Sequence, residues 1–225
     1  MCIIPSVFVI GDSHTNIFSK SPLFQVFHIG PATAYNLMKE GSSTKANEKI
    51  NEILNIVKKG DIVLLVFGEI DCRIHIFYQF KKNHETQTIS ELIQRTIHNY
   101  CNCIRKIKNQ GIEVCICGIT PPGEEGNIYH YPYYADRKLQ QKIYQEFNSE
   151  LKSHCDDFRI CFLDIFPLVS DDSGFLLKEH SDDGLHLNKK ILPLIEKMLQ
   201  KKFGLKLTLR YKINQFKERF KPRKP

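Results

Sequence analysis

Two stretches, far apart in the chain, hold the residues best suited to covalent chemistry. Val7-Phe8-Val9-Ile10 runs directly into Gly11-Asp12-Ser13-His14, which reads as a buried strand ending in a tight turn. A serine at the carboxyl end of a first strand in an α/β chain sits where such folds place their ligands. Near the other end stands Ser181-Asp182-Asp183-Gly184-Leu185-His186-Leu187-Asn188. Asp183 and His186 are three apart, close enough for the carboxylate to accept from one ring nitrogen while the other faces a nucleophile. A serine nucleophile needs that arrangement: the histidine takes the hydroxyl proton, and the aspartate fixes the tautomer and stabilises the imidazolium. The same residues could simply form a turn and cap the last helix, and the Asp-x-x-His spacing alone does not choose.

A third cluster follows Gly68: Glu69, Asp71, Cys72, Arg73 and His75. The planar guanidinium of Arg73 could clamp an oxyanion, carboxylate or phosphate of a substrate, with Glu69 or Asp71 holding its other edge. A structural ion pair with those acids is the competing reading. His14, directly after Ser13, bears either on substrate and Ser13 or on local packing. His28 and His75 are read as satisfied polar residues near strand ends. Cys101/Cys103 and Cys115/Cys117 fit no metal-knuckle spacing, and no glycine-rich phosphate loop is present, so neither metal nor cofactor is expected. The Tyr129–Tyr134 cluster could stack on a sugar ring.

The elements that must position these residues alternate regularly. Strands are expected over 6–10, 61–67, 112–119 and 158–165, each a short apolar run. Helices are expected over 45–59, 88–110, 134–155 and 188–202, where apolar residues recur at helical spacing. Thr33 is read as the cap of a further helix, 14–26 as without a clean period, and 69–75 as a loop. This alternation predicts a mainly parallel sheet between two helical layers, in one domain over residues 1–204.

Charge separates the end of the chain from the rest. Residues 205–225 hold eight Lys/Arg against Glu218 alone and so account for the whole net charge of +7. The body is neutral, which argues against nucleic acid as its partner. The tail alternates apolar and polar residues and then places Phe216 and Phe220 among basic residues; it could dock on a partner protein or an anionic surface. No run of about 18 apolar residues is present and the N-terminus lacks a basic leader, so a cytoplasmic protein with reduced thiols is expected.

Gly-Asp-Ser after the first strand, Gly30 after the next element, Gly68-x-x-Asp71, and Asp183-x-x-His186 before the last helix occur in that order. In this the chain resembles the SGNH (GDSL-type) hydrolase superfamily over residues 6–200. The resemblance implies a flavodoxin-like, three-layer α/β/α domain. It further implies Ser13 as nucleophile, His186 as base, Asp183 as its orienter, and the Ser13 and Gly30 N–H groups as oxyanion donors. The third block departs from the family's Gly-x-Asn-Asp: Ile70 stands where an amide would donate to the oxyanion. Arg73 is the candidate replacement. The expected activity is a serine esterase that removes O-acyl groups, acetyl above all, from a carbohydrate or other small ester. An acyl- or glycosyl-transfer enzyme of glycan biosynthesis and a non-catalytic glycan-binding module remain the alternatives.

Overall fold

The computed structural model describes residues 5–123 and 132–205. Five strands, β1 (Val7–Gly11), β2 (Phe24–His28), β3 (Ile62–Val66), β4 (Glu113–Cys117) and β5 (Cys161–Leu163), form one sheet. Their order is β2-β1-β3-β4-β5 and every pairing is parallel. The central strands β1 and β3 are buried at every position, which is why they are apolar throughout rather than alternating.

Alternate residues supply two cores. Phe8, Ile10, Val63, Leu65 and Ile116 face α1 (Ala46–Leu54), α2 (Ile76–Lys82), α3 (Ile89–Lys108) and α4 (Arg137–Asp157). Val7, Val9, Ile62, Leu64 and Cys115 pack under a 3-10 segment, Ser13–Lys20, with α5 (Phe166–Val169) and α6 (Leu192–Phe203). The result is a three-layer α/β/α fold, as expected. Local signals agree with it: a Thr88–Glu91 capping box starts α3, and Asp136 caps α4. Cys72, Cys101, Cys103, Cys115, Cys117, Cys155 and Cys161 are buried free thiols. No helix among the described residues is long and apolar enough to cross a membrane.

β1 and β3 are neighbours, but the connection after β1 leads to β2 at one edge of the sheet and the connection after β3 leads to β4 and the other edge. Ligands of such sheets bind in the crevice at that switch point, beyond the carboxyl ends of the strands. Gly11 ends β1 there, and only glycine fits, because a Cβ would run into the Val66 carbonyl oxygen of β3.

Three local expectations change. Residues 24–28 form β2, an edge strand whose apolar and exposed positions mix because only part of it is covered. Residues 71–75, expected as a loop, form a wide π-type turn that leads directly into α2. Thr33 caps no helix: Ala34–Asn36 is a single 3-10 turn, and Thr33 Oγ1 accepts from Asn36 Nδ2 at 2.9 Å. The basic tail from 206 onward, with Tyr129 and Tyr131, lies outside the described residues.

Candidate active site

Ser13 is the first residue of the 3-10 segment that follows β1. Asp12 caps that segment: its Oδ1 accepts from His14 N at 2.9 Å, and its carbonyl accepts from Thr15 N and Thr15 Oγ1 at 3.0 and 2.8 Å. This sharp exit leaves Ser13 half-buried at the sheet's carboxyl edge.

The loop before α6 is pinned as tightly. Ser181 and Leu187 form an antiparallel bridge, Ser181 Oγ donates to His186 O at 2.7 Å, and Asn188 N donates to His180 O at 2.8 Å. Inside the loop, Asp183 Oδ1 accepts from the amides of Leu185 and His186 at 2.9 and 2.7 Å. Gly184 takes φ +75°, which closes the turn without a Cβ penalty.

These constraints bring the two distant stretches together. Asp183 Oδ2 lies 2.6 Å from His186 Nδ1, and His186 Nε2 lies 2.8 Å from Ser13 Oγ. The line Asp183–His186–Ser13 is continuous. Partial burial works against the Asp183 carboxylate, but the His186 ring and the two loop amides outweigh it and hold its pKa well below the usual range.

The third cluster turns inward. Glu69 is 3% exposed, with Oε1 accepting from Arg73 Nε at 2.8 Å and from Tyr144 Oη of α4 at 2.7 Å. Its Oε2 lies 3.2 Å from His14 Nε2. Burial alone would raise the Glu69 pKa; His14, Arg73 and Tyr144 overturn that and bring it to about 2. Burial also disfavours the His14 imidazolium, yet the Glu69 carboxylate beside it leaves that pKa above the ordinary value.

Asp71 is fully buried and accepts from the amides of Ala34 and Tyr35, at 2.6 and 3.1 Å. Burial pushes its carboxyl up to about 7 despite those bonds.

Glu69, Asp71 and His14 are all buried. Arg73 is partly exposed, and its Nε pairs with Glu69. A cavity of about 20 Å³ lies behind Ser13, lined in part by Asp12, His14, Glu69 and Thr120. It has room for about one water and none for an acyl group. Gly30 follows β2 with φ +97°, and Ile29 N donates to Gly11 O at 2.9 Å, so the Gly30 loop runs alongside the Asp12–Ser13 turn. His75 packs against Tyr35 with ring centroids 5.0 Å apart and has Gln79 Nε2 3.5 Å from its Nε2, while its buried Nδ1 makes no hydrogen bond among the described residues. Tyr144 and Thr120 join the site although nothing in their sequence context marks them. Among the described residues, no cluster of His, Cys, Asp and Glu could hold a metal ion.

A profile of the GDSL-like lipase/acylhydrolase family matches residues 7–195. The chain belongs to that family. It is an ester hydrolase of GDSL/SGNH type, and its parallel three-layer fold is the family's. Among solved structures it is similar to a Bacteroides fragilis protein described as an acylhydrolase, with TM-score 0.62 and 19% identity over 89% of this chain and 90% of that one. It is also similar to a GDSL-like lipase of Bacteroides thetaiotaomicron, with TM-score 0.61 and 16% identity over 88% and 87%. A third likeness is to an acetyl xylan esterase, with TM-score 0.54 and 16% identity over 88% and 98%. No curated protein sequence matches the chain.

Proposed function

We propose that Ser13, His186 and Asp183 are the catalytic triad of this GDSL hydrolase, and that it removes O-acyl groups, chiefly acetyl, from a carbohydrate. The observation that carries the reading is the unbroken line from Asp183 Oδ2 through both ring nitrogens of His186 to Ser13 Oγ, with steps of 2.6 and 2.8 Å. Ser13 Oγ attacks the acyl carbonyl while His186 Nε2 takes its proton, and Asp183 holds Nδ1–H and stabilises the imidazolium. His186 then protonates the departing alcohol oxygen. A water, deprotonated by the same nitrogen, attacks the Ser13 ester and releases the acid.

The Ser13 and Gly30 N–H groups are the oxyanion donors in this scheme. Arg73, held at its Nε by Glu69, supplies the donor that Ile70 lacks or holds the substrate. Support for a carbohydrate comes from exposed aromatic rings. Tyr133 and Tyr134 are 43% and 57% exposed, and Tyr133 lies 6.1 Å from Tyr78, a surface on which a sugar ring can stack.

Ser13→Ala should abolish p-nitrophenol release from p-nitrophenyl acetate and acetate release from acetylated oligosaccharides. Turnover surviving in pure Ser13→Ala protein sinks the triad. Acetate release no faster from acetylated sugars than from simple alkyl acetates sinks the carbohydrate assignment.

A further inference from the structure

Directly behind the triad lies a second histidine–carboxylate pair that the scheme above does not use. His14 is 7% exposed. Its ring centroid is 4.7 Å from that of His186, at an interplanar angle of 41°. Its Nε2 faces Glu69 Oε2 at 3.2 Å, and its Nδ1 lies 3.4 Å from Thr120 Oγ1. Nε2 is within ion-pair distance of the Glu69 carboxylate, though not aligned for a hydrogen bond, so an imidazolium there is held by charge. Glu69 is itself fixed, by Arg73 from its own helical segment and by Tyr144 from α4. His14's main chain is tied to the Asp12 side chain.

We propose that His14 is a positioning residue: anchored by Glu69, its ring is the inner wall that holds His186 in line with Ser13. The assignment rests on the triad reading. His186 is reached on its outer side by solvent, its side chain being 29% exposed, and Asp183 fixes only its Nδ1 edge. The Nε2 contact with Ser13 Oγ is given up once that oxygen attacks, and contact with His14 then limits the ring on its buried side. Misplacement of a general base by about 1 Å costs on the order of a hundredfold in rate. The anchoring needs charge on His14. The charged groups that face it are Glu69 and Arg73 from the segment after β3, Asp12 from the end of β1, and His186 from the last loop, with Tyr144 behind Glu69.

The test is steady-state hydrolysis of p-nitrophenyl acetate by the full chain, measured from pH 5 to 10 with melting curves alongside. His14→Leu should lower kcat at least tenfold while KM stays within about twofold, since the ring does not touch substrate. Glu69→Gln removes the group that keeps His14 protonated, so the alkaline fall of its kcat profile should begin at lower pH than in the wild type. A folded His14→Leu protein with wild-type kcat overturns the proposal, as does a loss carried wholly by KM. If His14→Leu fails to fold, Glu69→Gln decides: an unmoved alkaline limb rejects the anchoring role. Ser13→Ala in the same assay separates the two readings, because activity there refutes the triad itself, whatever His14 does.

Discussion

Asp71 and Ala34 are joined at 2.6 Å, carboxylate oxygen to backbone amide, with Tyr35 N bound to the other oxygen. Asp71 thereby ties the segment after β3 to the loop that carries Gly30. Asn at this position can present only one oxygen, and its NH₂ would meet one of the two amide donors. Leaving a buried donor unsatisfied costs about 1–3 kcal/mol. Asp71→Asn should therefore lower the melting temperature by several degrees, on the scale of about 2–4 °C per kcal/mol for a chain of this size. Because the same loop presents Gly30, kcat/KM should fall as well. An unchanged melting curve with full activity would show that the loop does not depend on this carboxylate.

The strands around the site were legible because parallel, doubly covered strands must be apolar throughout. Val7–Gly11 ends on a glycine, and Ile62–Val66 is followed two residues on by Gly68, each marking a turn. Ser13, Asp183 and His186 were legible from residue type and local spacing, although bringing them together depends on the whole sheet. The inward turn of Glu69 and Asp71 was not. Carboxylates written one after another look like a solvated loop, and only their partners reveal them as buried: Tyr144 from α4, and the amides of Ala34 and Tyr35. His14 posed the same problem, since a histidine beside a nucleophile reads equally as a substrate contact. An edge strand such as β2 shows no strict alternation in sequence, and the pairing of Arg73 with Glu69 is visible only in the geometry.

Glu69 has a pKa of about 2 in the fold against an ordinary 4.5. The folded value is the lower one, so the unfolded chain binds the proton first as pH falls. The stabilisation it brings is fully present above about pH 4.5 and is lost as pH drops toward 2. Urea titrations at pH 7, 4.5, 3 and 2 should show wild-type stability falling across that window. Glu69→Gln should be less stable at pH 7, because His14 and Arg73 lose their partner, and its deficit should shrink as pH falls. A deficit constant from pH 7 to pH 2 would mean that the carboxylate charge is not what these groups bind.

Asp183 is half exposed, yet it receives four hydrogen bonds, from the His186 ring, from the amides of Leu185 and His186, and from Ser181 Oγ. Asp183→Asn keeps the shape but offers an amide that can hold the ring in the wrong tautomer. That substitution should lower kcat by roughly 10³–10⁴-fold at neutral pH with little change in KM, as the loss of an orienting carboxylate does elsewhere. Its effect on melting should be small, because the loop keeps its Ser181 and Asn188 bonds. A decrease below tenfold would mean that the loop orients His186 without the carboxylate.

Ile70 begins the helical turn after Gly68, where the family carries an amide side chain. It is only partly buried, so a side chain of similar size fits there without opening the core. If the oxyanion is held by the Ser13 and Gly30 N–H groups with Arg73 in support, then an asparagine at position 70 adds a donor to an incomplete set. Removing one such donor elsewhere costs about 10²–10³ in kcat, and adding one in unrefined geometry should recover part of that. Ile70→Asn should raise kcat on p-nitrophenyl acetate about tenfold, and more in an Arg73→Met background, where the compensating guanidinium is gone. If Ile70→Asn is inert in both backgrounds, the amide position is not aimed at the reacting carbonyl in this chain. If Arg73→Met alone leaves kcat and KM unchanged, the guanidinium serves Glu69 and not the substrate.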